Sequence, residues 1–210
     1  MLLAFLSAAT LISATLTILA MYQGRRLTLY LFKPLTILFV ILIALQSKNP
    51  TSSFYRQAII AGLVFSLIGD IFLMLPSDRF IPGLVSFLAA HIFYIAAFMR
   101  ENGRALSTWE LIPFLIYGIL MLHLLWNHLK QMRGPVILYM IAILMMGWVA
   151  ASRWMLTGQA GSRQAFVGAI LFIASDSVLA LERFRGRFRS AQLIILSTYF
   201  SAQWLIALST

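Results

Sequence analysis

Apolar residues fall into eight long runs, at about 2–22, 28–45, 57–75, 80–99, 110–128, 135–152, 163–181 and 190–209. Short polar stretches separate them. Each run approaches the roughly 20 residues that a helix needs to cross a hydrocarbon layer about 30 Å thick. The pattern predicts an all-α, polytopic membrane protein: an eight-helix transmembrane bundle forming one domain over 1–210. The longest polar stretch is Gln46–Arg56 and the most basic is Glu182–Arg189. Met1–Tyr22 has no charged leading segment and no small-residue cleavage site, so it is expected to be a retained first span.

Composition agrees. The chain is 61% hydrophobic and 10% charged, with a mean hydropathy of +0.92. Soluble domains carry about 25% charged residues, so a soluble domain of any size is excluded. The net charge of +10 would suggest nucleic acid in a soluble protein. Here Lys and Arg sit in short loops, where they meet lipid phosphate and set topology. No basic face or RNA motif is present, so no nucleic-acid partner is expected. The absence of cysteine excludes disulfides and thiolate metal sites.

Basic residues are more numerous in the first, third, fifth and seventh loops, which include Arg25, Arg26, Lys33, Arg79, Arg183 and Arg187. The remaining loops hold Lys48, Arg56, Arg100, Arg104, Arg153 and Arg163. The positive-inside rule then puts the first set in the cytoplasm and both termini outside. A bacterial inner membrane is the expected location, with the site in its cytoplasmic half.

An acid inside hydrocarbon costs about 3 kcal/mol on insertion scales, so it is a functional candidate by default. Of six acids, Asp78, Glu101, Glu110 and Glu182 lie at loops or run ends. Asp70 and Asp176 lie within the third and seventh runs, each five residues before its end. These runs point the same way, so the two acids are expected at similar depth. Small polar neighbours (Ser66, Gly69, Ser175, Ser177) favour a shared cavity over acids neutralised as structural glue. Lys33 falls near the same depth. It either snorkels to the interface or serves as counter-ion to an acid or a lipid phosphate.

His91 and Tyr94 share a face of the fourth run with Phe87, and Tyr199 and Gln203 share a face of the eighth. Each pair could line the cavity or only bond between helices. The other histidines, His123 and His128, are five apart, which suits neither each other nor zinc. Neither a metal nor any other cofactor is expected. Gly62–Leu75 aligns without gaps on Gly168–Leu181, an offset of 106 residues. That fits a parallel repeat of four-helix halves, although the other helix pairs align poorly.

Together these residues resemble the YhhN-type integral membrane family, whose characterised members are lysoplasmalogenases. The resemblance rests on Lys33-Pro34, on Ser66-Leu67-Ile68-Gly69-Asp70 with Leu73 and Met74, and on Phe80, Gly83, Phe87, His91 and Tyr94. It closes with Gly168, Ser175-Asp176-Ser177, Tyr199 and Gln203, and so covers about 30–205. It implies eight spans and hydrolysis of the vinyl ether bond of a lysophospholipid held in the bilayer. It implies Asp70 and Asp176 as the catalytic residues. The substrate-binding candidates are Lys33, His91, Tyr94, Ser175, Tyr199 and Gln203. The fold is similar to that of alkaline ceramidases, which use a histidine-rich zinc site. This chain lacks one, so a metal mechanism does not transfer. Paired intramembrane acids also describe a proton-coupled membrane transporter of a small or lipid-like solute. A non-catalytic lipid-binding protein is a third reading.

Overall fold

A computed structural model describes residues 1–46, 52–101, 106 and 108–210, apart from the side chain of Glu101. Lys48 and Arg104 of the loop count lie outside the described residues. Among the described residues eight α-helices follow one another: α1 Leu2–Tyr22, α2 Arg26–Leu45, α3 Ser53–Met74, α4 Phe80–Glu101, α5 Leu111–Leu129, α6 Arg133–Thr157, α7 Ala160–Phe184 and α8 Ala191–Leu208. No strand occurs among the described residues. The protein is an integral, multi-pass, all-helical membrane bundle.

Seven helical segments are separately long and apolar enough to cross a membrane, one fewer than the eight runs suggest. The difference lies in Leu111–Thr157, which is helical throughout over 47 residues. A 3₁₀ turn at Lys130–Met132 divides it into α5 and α6. Lys130, just after α5, has φ 46, a left-handed value that L-residues rarely adopt. α5 then packs against α6, so the chain doubles back there.

Lipid replaces water outside this bundle, and the helices are patterned accordingly. α1 buries Leu6, Thr10, Ser13, Thr17 and Ala20 at alternating spacings of four and three. It leaves Phe5, Leu11 and Ile12 exposed. Thus a small, polar stripe faces the protein while large apolar groups face outward. Ser13 Oγ lies 2.8 Å from Thr36 Oγ1 of α2, an interhelical bond typical of membrane packing. α3 starts where Ser52 Oγ accepts the Tyr55 N–H at 3.1 Å, a standard N-cap. In α2, Pro34 has no N–H to give the Tyr30 carbonyl.

Six helices form a closed ring: α2, α3, α4, α6, α7, α8 and back to α2. α1 lies outside on α2 and α8, and α5 lies outside on α6 and α7. Glycines let the tight pairs approach. Gly62 and Gly69 of α3 receive the rings of Tyr94 and Phe87 of α4, and Gly168 of α7 meets Ile206 and the Ala202 carbonyl of α8. α7 runs to Phe184 rather than 181, so Asp176 lies eight residues before its end, not five. Arg153, expected in a loop, is inside α6 and 1% exposed. Its guanidinium lies over the Tyr55 ring at 4.4 Å, and Nη1 donates to the Tyr55 hydroxyl at 2.7 Å. Lys33, also expected among the loop charges, lies within α2.

Candidate functional site

The ring of helices encloses a cavity of about 610 Å³ lined by Lys33, Asp70, Phe87, Ser175, Asp176 and Tyr199, among others. It draws Asp70 from α3 and Asp176 from α7. Among the described residues these two helices do not pack against each other, so the cavity separates them. The mouth is basic, with Arg25, Arg26 and Arg187. A more open recess of about 920 Å³ adjoins it, sharing Leu73, Pro76 and Arg187 and adding Arg79, Arg183 and Arg189. At its rim Arg183 donates to Asp78 Oδ2 at 2.5 Å. This bond, with one from the Phe80 N–H, holds the Asp78 carboxyl below its usual range.

Asp70 is 2% exposed and Lys33 12%, and Lys33 Nζ lies 2.9 Å from Asp70 Oδ1. Tyr199 donates its hydroxyl to Asp70 Oδ2 at 2.7 Å. Of the alternatives open for Lys33, the structure selects counter-ion to an acid. The wall beside this pair is aromatic. Phe87 and Phe172 each meet Tyr199 edge-to-face, at 5.9 and 5.4 Å between centroids.

Asp176 is held differently. Tyr139 of α6 donates its hydroxyl to Asp176 Oδ2. His91 Nε2 stands 2.9 Å from the Tyr139 oxygen and 3.8 Å from Asp176 Oδ2. His91 is fully buried against Phe172, so it backs the carboxyl and does not line the cavity. Ser175 Oγ donates to the Ile195 carbonyl at 3.1 Å, tying α7 to α8. Tyr117 of α5 donates to Ser177 Oγ at 2.7 Å.

Five of the eight expected residues therefore meet in one cavity: Lys33, Asp70, Ser175, Asp176 and Tyr199. His91 stands behind. Tyr94 and Gln203 do not line it: Tyr94 donates to Gln203 Oε1 at 2.8 Å inside the core. Their helix faces point inward, but toward each other. Sequence reasoning passed over Tyr139 as an ordinary aromatic. The signal that finds it is the repeat: Tyr139 lies 106 residues after Lys33, as Asp176 lies 106 after Asp70. Among the described residues no three His, Asp or Glu side chains converge. His91 with Asp176 is a two-donor pair, which does not fit a zinc site of three or more protein ligands.

The profile described as the YhhN family matches residues 28–210. The uncharacterized membrane protein YhhN of Escherichia coli O157:H7 is 33% identical over 202 residues, covering 96% of each chain. Lysoplasmalogenase TMEM86A of Bos taurus is 36% identical over 156 residues, covering 72% of this chain and 64% of its own. Lysoplasmalogenase TMEM86B of Homo sapiens is 35% identical over 156 residues, covering 74% and 64%. No solved structure gives a significant match.

Proposed function

This chain belongs to the YhhN family, and from that membership we propose that it is a membrane-embedded lysoplasmalogenase. It hydrolyses the vinyl ether bond of a lysoplasmalogen to a fatty aldehyde and glycerophosphoethanolamine or glycerophosphocholine. One observation carries the reading. Two carboxyls, from helices that do not pack against each other among the described residues, face a single cavity with a basic mouth.

Vinyl ethers resist base and yield to acid. A proton adds to the β-carbon, the C=C electrons form the new C–H bond, and an oxocarbenium ion forms at the carbon bearing oxygen. Water adds there and gives up a proton. The hemiacetal then collapses to aldehyde and glycerol hydroxyl, and the net reaction consumes one water. The protein must supply a proton near neutral pH and stabilise a transient cation. Two carboxyls of opposite protonation state do both, as in glycosidases, whose transition state is similar. The charged carboxyl faces the cation and orients water, and the neutral one donates the proton. The aromatic wall of Phe87 and Tyr199 excludes bulk water from the reacting carbon.

The substrate's phosphate is held by Arg25, Arg26 and Arg187 at the mouth, because Lys33 is already engaged by Asp70. Removing these arginines should raise KM about tenfold and leave kcat nearly unchanged, since the lost contact serves ground state and transition state alike. Steady-state kinetics of Arg25→Gln, Arg26→Gln and Arg187→Gln test this. A fall in kcat with unchanged KM would contradict it.

The reversal at Lys130–Met132 supports eight crossings, which put both termini on one face; by the positive-inside rule that face is the outer one, and the arginine-lined mouth opens toward the cytoplasm. Labelling of tags at both ends from one side of the membrane tests that count. The decisive test of function is aldehyde release from lysoplasmalogen by the purified protein. Release should persist in a strong chelator. Loss on chelation with recovery on adding zinc would sink the metal-free mechanism, and no release at all would sink the assignment.

A further inference from the structure

The two halves of the bundle repeat each other's packing. The contacts α1–α2, α2–α3 and α3–α4 recur as α5–α6, α6–α7 and α7–α8, and α4–α6 recurs as α8–α2. Asp70 and Asp176 hold equivalent places at an offset of 106 residues, and so do Lys33 and Tyr139. Each carboxyl meets one side chain from the preceding helix of its own half and one from the last helix of the other half. For Asp70 these are Lys33 of α2 and Tyr199 of α8. For Asp176 they are Tyr139 of α6 and His91 of α4. The frames match and the chemistry does not: an ammonium in one half is replaced by a phenol in the other.

From this difference we infer that Asp70 is the standing anion of the site and Asp176 its proton donor, with Tyr139 and His91 as positioning residues behind the donor. The inference rests on the vinyl ether reading above and assigns the roles within it. Protonating Asp70 would leave the Lys33 ammonium, 12% exposed, without a counter-ion, so that carboxyl keeps its charge. Among the described residues Asp176 has no Lys or Arg at ion-pair distance. The vinyl ether reading needs one neutral carboxyl and one charged one at the cavity, and so one proton on the pair. The partners locate that proton on Asp176.

Tyr139 suits a carboxyl that changes state. While Asp176 carries the proton, it can donate to the Tyr139 oxygen as Tyr139 donates to His91 Nε2, 2.9 Å away. Once Asp176 has given its proton to the substrate carbon, the same phenol turns to Asp176 Oδ2. No heavy atom needs to move. His91 Nδ1 is buried with no hydrogen-bond partner among the described residues. The chain of contacts therefore ends at His91, and the donor is reloaded from the cavity by the proton that the attacking water releases.

The other groups around the pair are few. Arg25, Arg26 and Arg187 line the mouth, Tyr117 bonds Ser177 beside Asp176, and Tyr94 of α4 lies deeper, bonded to Gln203 of α8. None separates the two carboxyls as Lys33 and Tyr139 do.

The test is the pH profile of aldehyde release by the full-length protein in micelles containing lysoplasmalogen, for Lys33→Met and Tyr139→Phe. Turnover needs Asp70 ionised, which sets the acid limb, and Asp176 protonated, which sets the alkaline limb. Removing the ammonium should move the acid limb to higher pH by about one unit or more and leave the alkaline limb in place. Removing the phenol takes away a bond that only the charged carboxyl accepts strongly. It should move the alkaline limb to higher pH by about one unit and lower kcat about tenfold at constant KM. Interchanged limbs, or limbs unmoved in both variants, overturn the assignment. Tyr139→Phe loses one hydroxyl and decides alone if Lys33→Met does not fold: an acid-limb shift makes Asp176 the anion. Failure of the functional reading looks different, because then the unmodified protein releases no aldehyde.

Discussion

Replacing either Asp70 or Asp176 with asparagine should lower aldehyde release from lysoplasmalogen at least about 10²-fold, a typical contribution of general acid–base catalysis. The amide has the size of the acid but carries neither its proton nor its charge. Both residues line the same cavity, so the double variant should be little worse than the poorer single one, since groups that act as a unit are not additive. The two variants should differ in stability. Asp176→Asn retains an oxygen that can accept from Tyr139, so its extraction yield should stay near normal. Asp70→Asn leaves the Lys33 ammonium facing a neutral amide where it had an ion pair at 2.9 Å. Removing one member of a buried pair costs about 3–5 kcal/mol, and partial exposure of Lys33 reduces that here. Adding Lys33→Met to Asp70→Asn should restore yield without restoring turnover. Measuring aldehyde release beside thermal unfolding in detergent separates the two effects. Near-normal turnover in either single variant, or activity that follows yield throughout, would return the acids to a structural role.

Much of this architecture is legible in the sequence because the bilayer imposes a simple length rule. All eight apolar runs begin within four residues of an observed helix start, and the first coincides with α1. The two acids stand out for the same reason: a carboxyl within hydrocarbon is costly and therefore rare. What the pattern cannot supply is partners. His91, Tyr94, Tyr199 and Gln203 all face inward, but helical spacing gives a direction around one axis, not the element met in that direction. So Tyr199 reaches Asp70 while Tyr94 and Gln203 satisfy each other. Arg153 shows a second limit. Hydropathy treats an arginine at the end of an apolar run as a loop residue. α6 instead continues to Thr157 and buries that guanidinium on Tyr55, which its flat, weakly hydrated charge permits. Tyr139 was hidden because an aromatic in an apolar run looks like packing. Only the internal offset, carried from the acids to Lys33, points to it.

That same repeat depends on helices meeting closely, and Gly62 is where this can be tested most severely. A methyl group added there would fall 2.3 Å from Tyr94 Cε1 and 2.6 Å from Cδ1, far inside van der Waals contact. Tyr94 has little room to yield. It is fully buried, stacked beside Phe98 at 6.5 Å between centroids, and bonded through its hydroxyl to Gln203. Gly62→Ala must therefore push α3 away from α4 or break the Tyr94–Gln203 bond. Overpacking of this kind costs about 1–3 kcal/mol, and a lost buried hydrogen bond about 1–3 more. The expected result is a marked fall in the unfolding temperature in detergent. Activity should suffer too, because α3 also carries Asp70, two turns further along the same interface. Gly134→Ala is the control. Gly134 is the second residue of α6, and an added methyl there meets nothing within 4 Å. Alanine favours helix over glycine by up to about 1 kcal/mol, so that variant should be as stable as the parent or slightly more so. Equal stability of Gly62→Ala and Gly134→Ala would mean that the α3–α4 contact is looser than drawn, and that the position of Asp70 does not depend on it.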